Sequence, residues 1–294
     1  MQFLYKVFYH PAINPILLWI NKLLSPITSF QLPPSGSIQL NVNDKVRFKM
    51  ATNQTSYVTK LLYWRGPNSF EYTPIFKELI SKCDSFIDIG ANTGYYSLMA
   101  AAVNPVSTIY SFEPAQGPLH YLTKNVFINN FQKQISVQPI ALSSQSGEVM
   151  FFEVKNKKYT YLLHNLGGVG SLNEDSSKMA YSVKTETLDQ FISKNSITHV
   201  DLIKIDTEGT EYFILEGAEE SITKFRPIII CETLFNKIEG KLEAIMKGHG
   251  YLFFNHENGK LTRVNTLIRQ KDNGVRDCFF VHPAKVYLIE KFTI

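Results

Sequence analysis

The chain has 294 residues, 44% of them apolar and 19% charged, enough for one well-buried core and a small accessory region. Its net charge is only +4, with lysines and arginines scattered rather than massed, which argues against a nucleic-acid-binding surface. The three cysteines, Cys83, Cys231 and Cys278, lack metal-ligand spacing and read as buried free thiols of a reducing, cytoplasmic setting.

Residues 1–35 form an apolar N-terminal segment in which only Lys6 and Lys22 carry a full charge. The charge-free run 7–21 is broken by Pro11 and Pro15 and is too short to cross a bilayer as one helix. With no small-residue cleavage site, a signal peptide is not expected. Two readings stand. The segment packs over the rest of the chain or a second subunit, or it makes peripheral membrane contact through residues 1–30, with Tyr5, Tyr9, Trp19 and the lysines at headgroup level. Pro33-Pro34-Ser35-Gly36 then marks a boundary. Across 36–82, a small accessory region, alternation predicts a hairpin at 38–42 and 46–50 turning near Asn43-Asp44, then helices at 57–64 and 73–82.

From 83 to 294 the pattern changes to alternating strands and helices. Strands are expected near 85–90, 107–112, 135–141, 200–206, 226–232, 251–255 and 277–282. Helices are expected near 94–103, 115–129, 186–195, 210–223 and 236–248. Such alternation implies a doubly wound α/β fold, with a mostly parallel sheet and helices on both faces. An insertion at about 147–184 interrupts it, with added strands at 149–154 and 181–184 around a polar, glycine-rich loop at 167–171 suited to a lid.

The first α/β unit is the most informative. Phe86-Ile-Asp-Ile-Gly-Ala-Asn-Thr-Gly94 reads as a buried strand and glycine turn, and Phe112-Glu-Pro114 places an acid at the tip of the next strand. This arrangement holds a nucleoside, with backbone close to the ligand and Glu113 accepting from ribose hydroxyls. Gly90 and Gly94 do not have dinucleotide spacing, no phosphate-binding lysine follows, and Asp88 would repel a pyrophosphate but welcome an amino group. S-adenosylmethionine, which carries an adenosine and an amino acid but no phosphate, fits best. Asp88, Gly90, Asn92, Gly94 and Glu113 are the expected cofactor contacts, with Ala141 and Leu142 against the adenine and Asp206 at the rim.

The fourth strand ends in Lys204-Ile-Asp206-Thr-Glu208-Gly-Thr-Glu211. Strand periodicity puts Lys204 and Asp206 on one face, and carboxylates gathered at a strand tip are costly to desolvate unless they bind something. Asp206, Glu208, Glu211 and Lys204 are the catalytic candidates, Glu232 points at the same rim, and His164 in the insertion is an alternative base. The proline pair and aromatic clamp of base-amine methylation are missing after Asp206, so an oxygen acceptor is favoured. Asp206, Glu208 and Glu232 offer oxygen ligands, but no metal is expected.

Taken together, Asp88 to Gly94, Phe112-Glu-Pro114, Leu122…Asn125…Asn129, Ala141-Leu-Ser143, Thr187-Leu-Asp189, Ile203 to Glu211, Leu215-Glu-Gly-Ala218 and Arg226-Pro227…Glu232 resemble the FkbM family of methyltransferases. The resemblance covers about half the chain. It implies a class I, Rossmann-like fold with a seven-stranded sheet, S-adenosylmethionine as donor, and O-methylation of a hydroxyl on a sugar, glycan or glycolipid, or related metabolite. Thr93 and Thr210 stand where the family usually has aliphatic or small residues. The alternatives are a silent donor-binding scaffold, disfavoured by the acid cluster, or a methyltransferase acting on another acceptor class; a nucleotide-dependent oxidoreductase is disfavoured by the glycine spacing.

Overall fold

The computed structural model describes residues 2–154, 156–167 and 178–294. Two short helices, α1 (Gln2–Phe8) and α2 (Asn14–Leu24), precede a hairpin of β1 (Gly36–Asn41) and β2 (Arg47–Thr52) and the helices α3 (Tyr57–Arg65) and α4 (Thr73–Ile80). The α/β region starts with β3 (Ser85–Ile89), α5 (Tyr95–Val103), β4 (Thr108–Phe112), α6 (Gln116–Ile128) and β5 (Ile135–Gln138). Then come β6 (Ala141–Leu142), β7 (Gly147–Val154), β8 (Lys178–Glu186), α7 (Leu188–Lys194), β9 (Leu202–Ile205), α8 (Glu211–Glu216) and α9 (Glu219–Phe225). The chain ends with β10 (Ile228–Glu232), α10 (Glu239–Gly248), β11 (Leu252–Glu257), β12 (Lys260–Val264) and β13 (Asp277–Val281).

The central sheet runs β12-β11-β13-β10-β9-β3-β4-β5. Strands β10, β9, β3, β4 and β5 pair in parallel, while β13 lies antiparallel between β10 and β11. From β11 to β5 this is the class I order with its single reversed strand, β13. The sheet contains the seven expected strands and an eighth, β12, added by an Asn258-Gly259 turn in which both residues have positive φ. The central strands are nearly all apolar because both faces are covered. Phe86, Ile109, Leu202, Ile230 and Phe279 pack with α4, α5 and the β1–β2 hairpin. Ile87, Ile203, Ile205, Ile229 and Phe280 face the other way, toward α7, α8 and α10.

The Asn125 and Asn129 positions explain how the hairpin is attached. The Asn125 amide accepts from Ala51 N at 2.6 Å and donates to Ala51 O and Thr93 O. Asn129 makes the same two-way contact with Lys49. The helix thereby offers β2 the bonds of a neighbouring strand. The helix expected over 210–223 is divided into α8 and α9 at Gly217-Ala218, and a methyl group on Gly217 would overlap the Ser143 carbonyl. β7 and β8 form the added strands, paired antiparallel, with β6 parallel to β8. Most of the glycine-rich loop at 167–171 lies outside the described residues.

Candidate active site

Beyond the carboxyl ends of β3, β4 and β9 opens a cavity of about 460 Å³. Its floor is the turn after β3, where Gly90 N and Ala91 N both donate to Phe112 O at 3.0 Å. Gly90 has φ +73°, and a methyl group there would overlap the Asp206 carbonyl, so this crossing needs a bare backbone. Gly90→Ala is expected to cost about 3 kcal/mol or more. A fall in the urea unfolding midpoint would show it. Gly248→Ala, in open space, is the control and should hold or gain stability.

Glu113 at the tip of β4 is 6% exposed. Its Oε2 accepts from Asn92 N and its Oε1 from Ala115 N, each at 2.8 Å. Burial pushes its carboxyl up to about 7, against the two backbone donors. Asn92, Ala141 and Leu142 line the same cavity, as expected, joined by Ile140 and Ser143. Asp88 and Gly94 do not line it. Asp88 is fully buried beneath the turn, accepting from Ser97 Oγ at 2.5 Å. Its contribution is made through Lys204, whose Nζ lies 3.7 Å away. Gly94 instead starts α5 at φ +89°, where a methyl group would press on Leu122.

Lys204 is 4% exposed, with Nζ 3.2 Å from Asp206 Oδ2, 3.5 Å from Gly90 O and 5.7 Å from the centre of the Tyr96 ring. Burial alone would lower its pKa; Asp206, Asp88 and Glu71 together outweigh that and raise it, so the ammonium stays charged. Glu208, in the left-handed region at φ +62°, also lines the cavity, its carboxyl raised by burial and by Asp206 and Glu211. Glu211 belongs elsewhere. It is fully buried, and its carboxylate accepts from Thr207 N, Thr207 Oγ1 and Gly209 N, bracing the 206–210 turn rather than facing the cavity.

A second cavity of about 520 Å³ shares Glu71, Asp206 and Glu232 with the first and adds His256, Arg276 and Asp277. Burial, followed by Asp206, Glu208 and Glu211, pushes Glu232 up to about 9, and its Oε2 is buried without a hydrogen-bond partner among the described residues. Burial, with Glu71 and Asp206, also raises Asp277 well above the carboxylate range. His164 does not reach either cavity; it stacks on His120 at 4.2 Å. Asp84, His199 and Asp201 gather at the opposite, amino ends of β3 and β9, where Asp201 already accepts from Asp84 N and Ser85 N.

The insertion closes one side. Glu153 Oε1 accepts from Gly117 N at 3.3 Å, and its Oε2 accepts from the Tyr181 hydroxyl at 2.9 Å. That hydroxyl oxygen in turn accepts from Gln116 N. The β7–β8 hairpin therefore caps the amino end of α6, immediately after Glu113.

Residues 88–253 match the family described as Methyltransferase FkbM domain. The chain belongs to the FkbM methyltransferase family. It is 24% identical over 187 residues to Methyltransferase sdnD of Sordaria araneosa, covering 56% of this chain and 72% of that protein. To the 31-O-demethyl-FK506 methyltransferase FkbM of Streptomyces tacrolimicus it is 25% identical over 190 residues, covering 57% and 72%. Among solved structures, that of Methyltransferase FkbM from Methylobacillus flagellatus KT aligns over 67% of this chain and 43% of its own, at 16% identity and TM-score 0.45.

The donor of the FkbM domain is S-adenosylmethionine, and the first cavity fits it. A bare glycine turn permits close backbone approach, Glu113 keeps lone pairs that would accept from ribose hydroxyls, and Ile140 to Ser143 line the side that would take the adenine. Several lining residues lie outside the expectations, among them Tyr57, Phe70, Glu71 and Tyr96. Tyr96 donates to Glu71 Oε2 at 2.7 Å, fixing an acid that the accessory region contributes at φ +42°. No local motif marks Glu71; it reaches the site by tertiary packing.

Proposed function

We propose that this methyltransferase acts on oxygen, methylating a hydroxyl of a sugar, a glycan or glycolipid, or a related small metabolite. The observation that carries the reading is Asp206. Its side chain is 43% exposed between the two cavities, its Oδ2 is tied to Lys204, and its Oδ1 has no hydrogen-bond partner among the described residues. An alcohol is barely ionised at neutral pH, so a carboxylate oxygen positioned to take its proton suits this chemistry. Lys204 anchors that carboxylate without neutralising it by proton transfer. Glu232, protonated at neutral pH, presents an O–H that can donate to the acceptor oxygen. The surrounding acids suit the hydrogen-bond donors of a polyhydroxylated molecule. When bound, the donor supplies the methyl group and its own neutral thioether leaving group.

A panel of hydroxyl, amine and thiol acceptors with isotope-labelled donor tests this reading; label appearing only on nitrogen or sulfur would overturn it. Asp206→Asn is expected to lower kcat about 100-fold or more. Its affinity for S-adenosylhomocysteine should stay close to that of the parent. Glu232→Gln should be mild, since an amide carries the same charge as a protonated carboxyl. A full rate in the Asp206 variant would remove that residue from the reaction.

A further inference from the structure

Helix α2 has its polarity inverted relative to an ordinary surface helix. Asn14, Leu18 and Asn21 point inward at helical spacing, while Ile16, Trp19 and Leu23 are about 60% exposed. The two asparagines act as pins. Asn14 Oδ1 accepts from Ser35 N and Asn21 Oδ1 from Leu32 N, both at 2.7 Å, while their amides donate to Pro33 O and Phe30 O. The apolar side chains are therefore held outward by hydrogen bonds on the opposite face. Phe3, Leu4 and Phe8 of α1, together with Ile27 and Phe30, extend the exposed set. Monomeric proteins rarely leave so large an apolar surface uncovered without a partner.

Charge identifies the partner. No aspartate or glutamate occurs anywhere in residues 1–43. Lys6 and Lys22 are exposed on the two helices, and the exposed Lys158 of the insertion joins them, its Nζ 5.4 Å from the centre of the Tyr5 ring. None of the three has a carboxylate within ion-pair distance among the described residues. A second copy of the chain docked by two-fold symmetry would set these lysines against one another with no acid in the patch to answer them. Pro11 and Pro15 divide the segment, and no helix among the described residues is long and apolar enough to cross a membrane.

We propose that α1 and α2 form a platform that docks on an anionic phospholipid surface. Phe3, Ile16, Trp19 and Leu23 enter the interface, and Lys6, Lys22 and Lys158 meet lipid phosphates. The platform is joined to the insertion by Tyr5 and Tyr9, which pack edge-on against Tyr159 at 5.2 and 5.6 Å. The same insertion brings Leu166 and Gly167 to the mouth of the donor cavity.

The test is flotation of the full chain with vesicles of phosphatidylcholine alone or mixed with phosphatidylglycerol. The protein should float with the mixed vesicles, and raising the salt should release it. The double variant Trp19→Ser/Leu23→Ser should lose about tenfold or more of that binding. Both positions are exposed, so its circular dichroism and S-adenosylhomocysteine titration should match the parent. Three results would overturn the proposal: no flotation by parent protein that titrates normally, equal flotation by the variant, or a vesicle-independent dimer that the variant dissolves. None of these readouts uses methyl transfer, so failure of the hydroxyl-acceptor reading would leave the outcome interpretable.

Discussion

Glu113→Ala should lose S-adenosylhomocysteine affinity by about 100-fold or more in calorimetric titration, because hydrogen bonds to a charged group contribute about 1.5–3 kcal/mol each. The change removes the acceptors for ribose and also strands the Asn92 and Ala115 amides that the carboxylate now satisfies. Glu113→Gln keeps one carbonyl acceptor and should fall between the two. The pH dependence has a defined sign. Burial has moved this carboxyl from 4.5 up to about 7, and hydroxyl donors bind the ionised form. Donor affinity should therefore be full above pH 7 and weaken as pH falls through that value, approaching about tenfold per unit. A flat profile from pH 8 to about 5.5 would mean that the carboxylate does not receive the ribose.

Lys204→Met should destabilise the folded chain by about 3–5 kcal/mol, the cost of leaving a buried partner charge uncompensated. The stranded group is Asp88, whose Oδ1 has no hydrogen-bond partner among the described residues and which lies 3.7 Å from the Lys204 ammonium. Burial already raises the Asp88 carboxyl, and without the ammonium it must rise further. An acid whose folded-state pKa is raised is harmless while protonated and increasingly destabilising as pH rises above its unfolded value. The deficit of the variant should thus be smallest in acid and widen toward neutrality. Adding Asp88→Asn should recover a substantial part of the loss, with a coupling of about 1–3 kcal/mol in urea unfolding. Additive losses would show that the pair is not interacting. Asp206 would remain in such a protein, but its Oδ2 would have lost its anchor, so turnover should not recover with stability.

The α/β core was legible because strands buried on both faces must be continuous apolar runs and the intervening helices must repeat at 3.6 residues. The added strand β12 was just as visible in principle, since Asn258-Gly259 between alternating segments is a strong short-range hairpin signal. The helix division at Gly217 was not, since a single glycine within a helical pattern is no sure stop and the close approach of Ser143 is a tertiary contact. At the site, periodicity assigned faces correctly but could not assign depth. Lys204 and Asp206 reach the cavity, whereas Asp88 lies beneath it and Glu211 turns inward to its own backbone. Glu71 was hidden for a different reason. It is supplied by the accessory region, and nothing near it in the chain anticipates its bond from Tyr96.

The turn between Glu113 and α6 is held from two sides. On one side the Ala115 amide holds the Glu113 carboxylate; on the other, the Gln116 and Gly117 amides are held by Tyr181 and Glu153 of the insertion. Three consecutive amides thus tie the acid at the tip of β4 and the insertion to one short stretch of backbone. A compound that displaced the insertion through these bonds would be linked to any ligand of Glu113, and thermodynamic reciprocity would then require each to alter the other's affinity by the same factor.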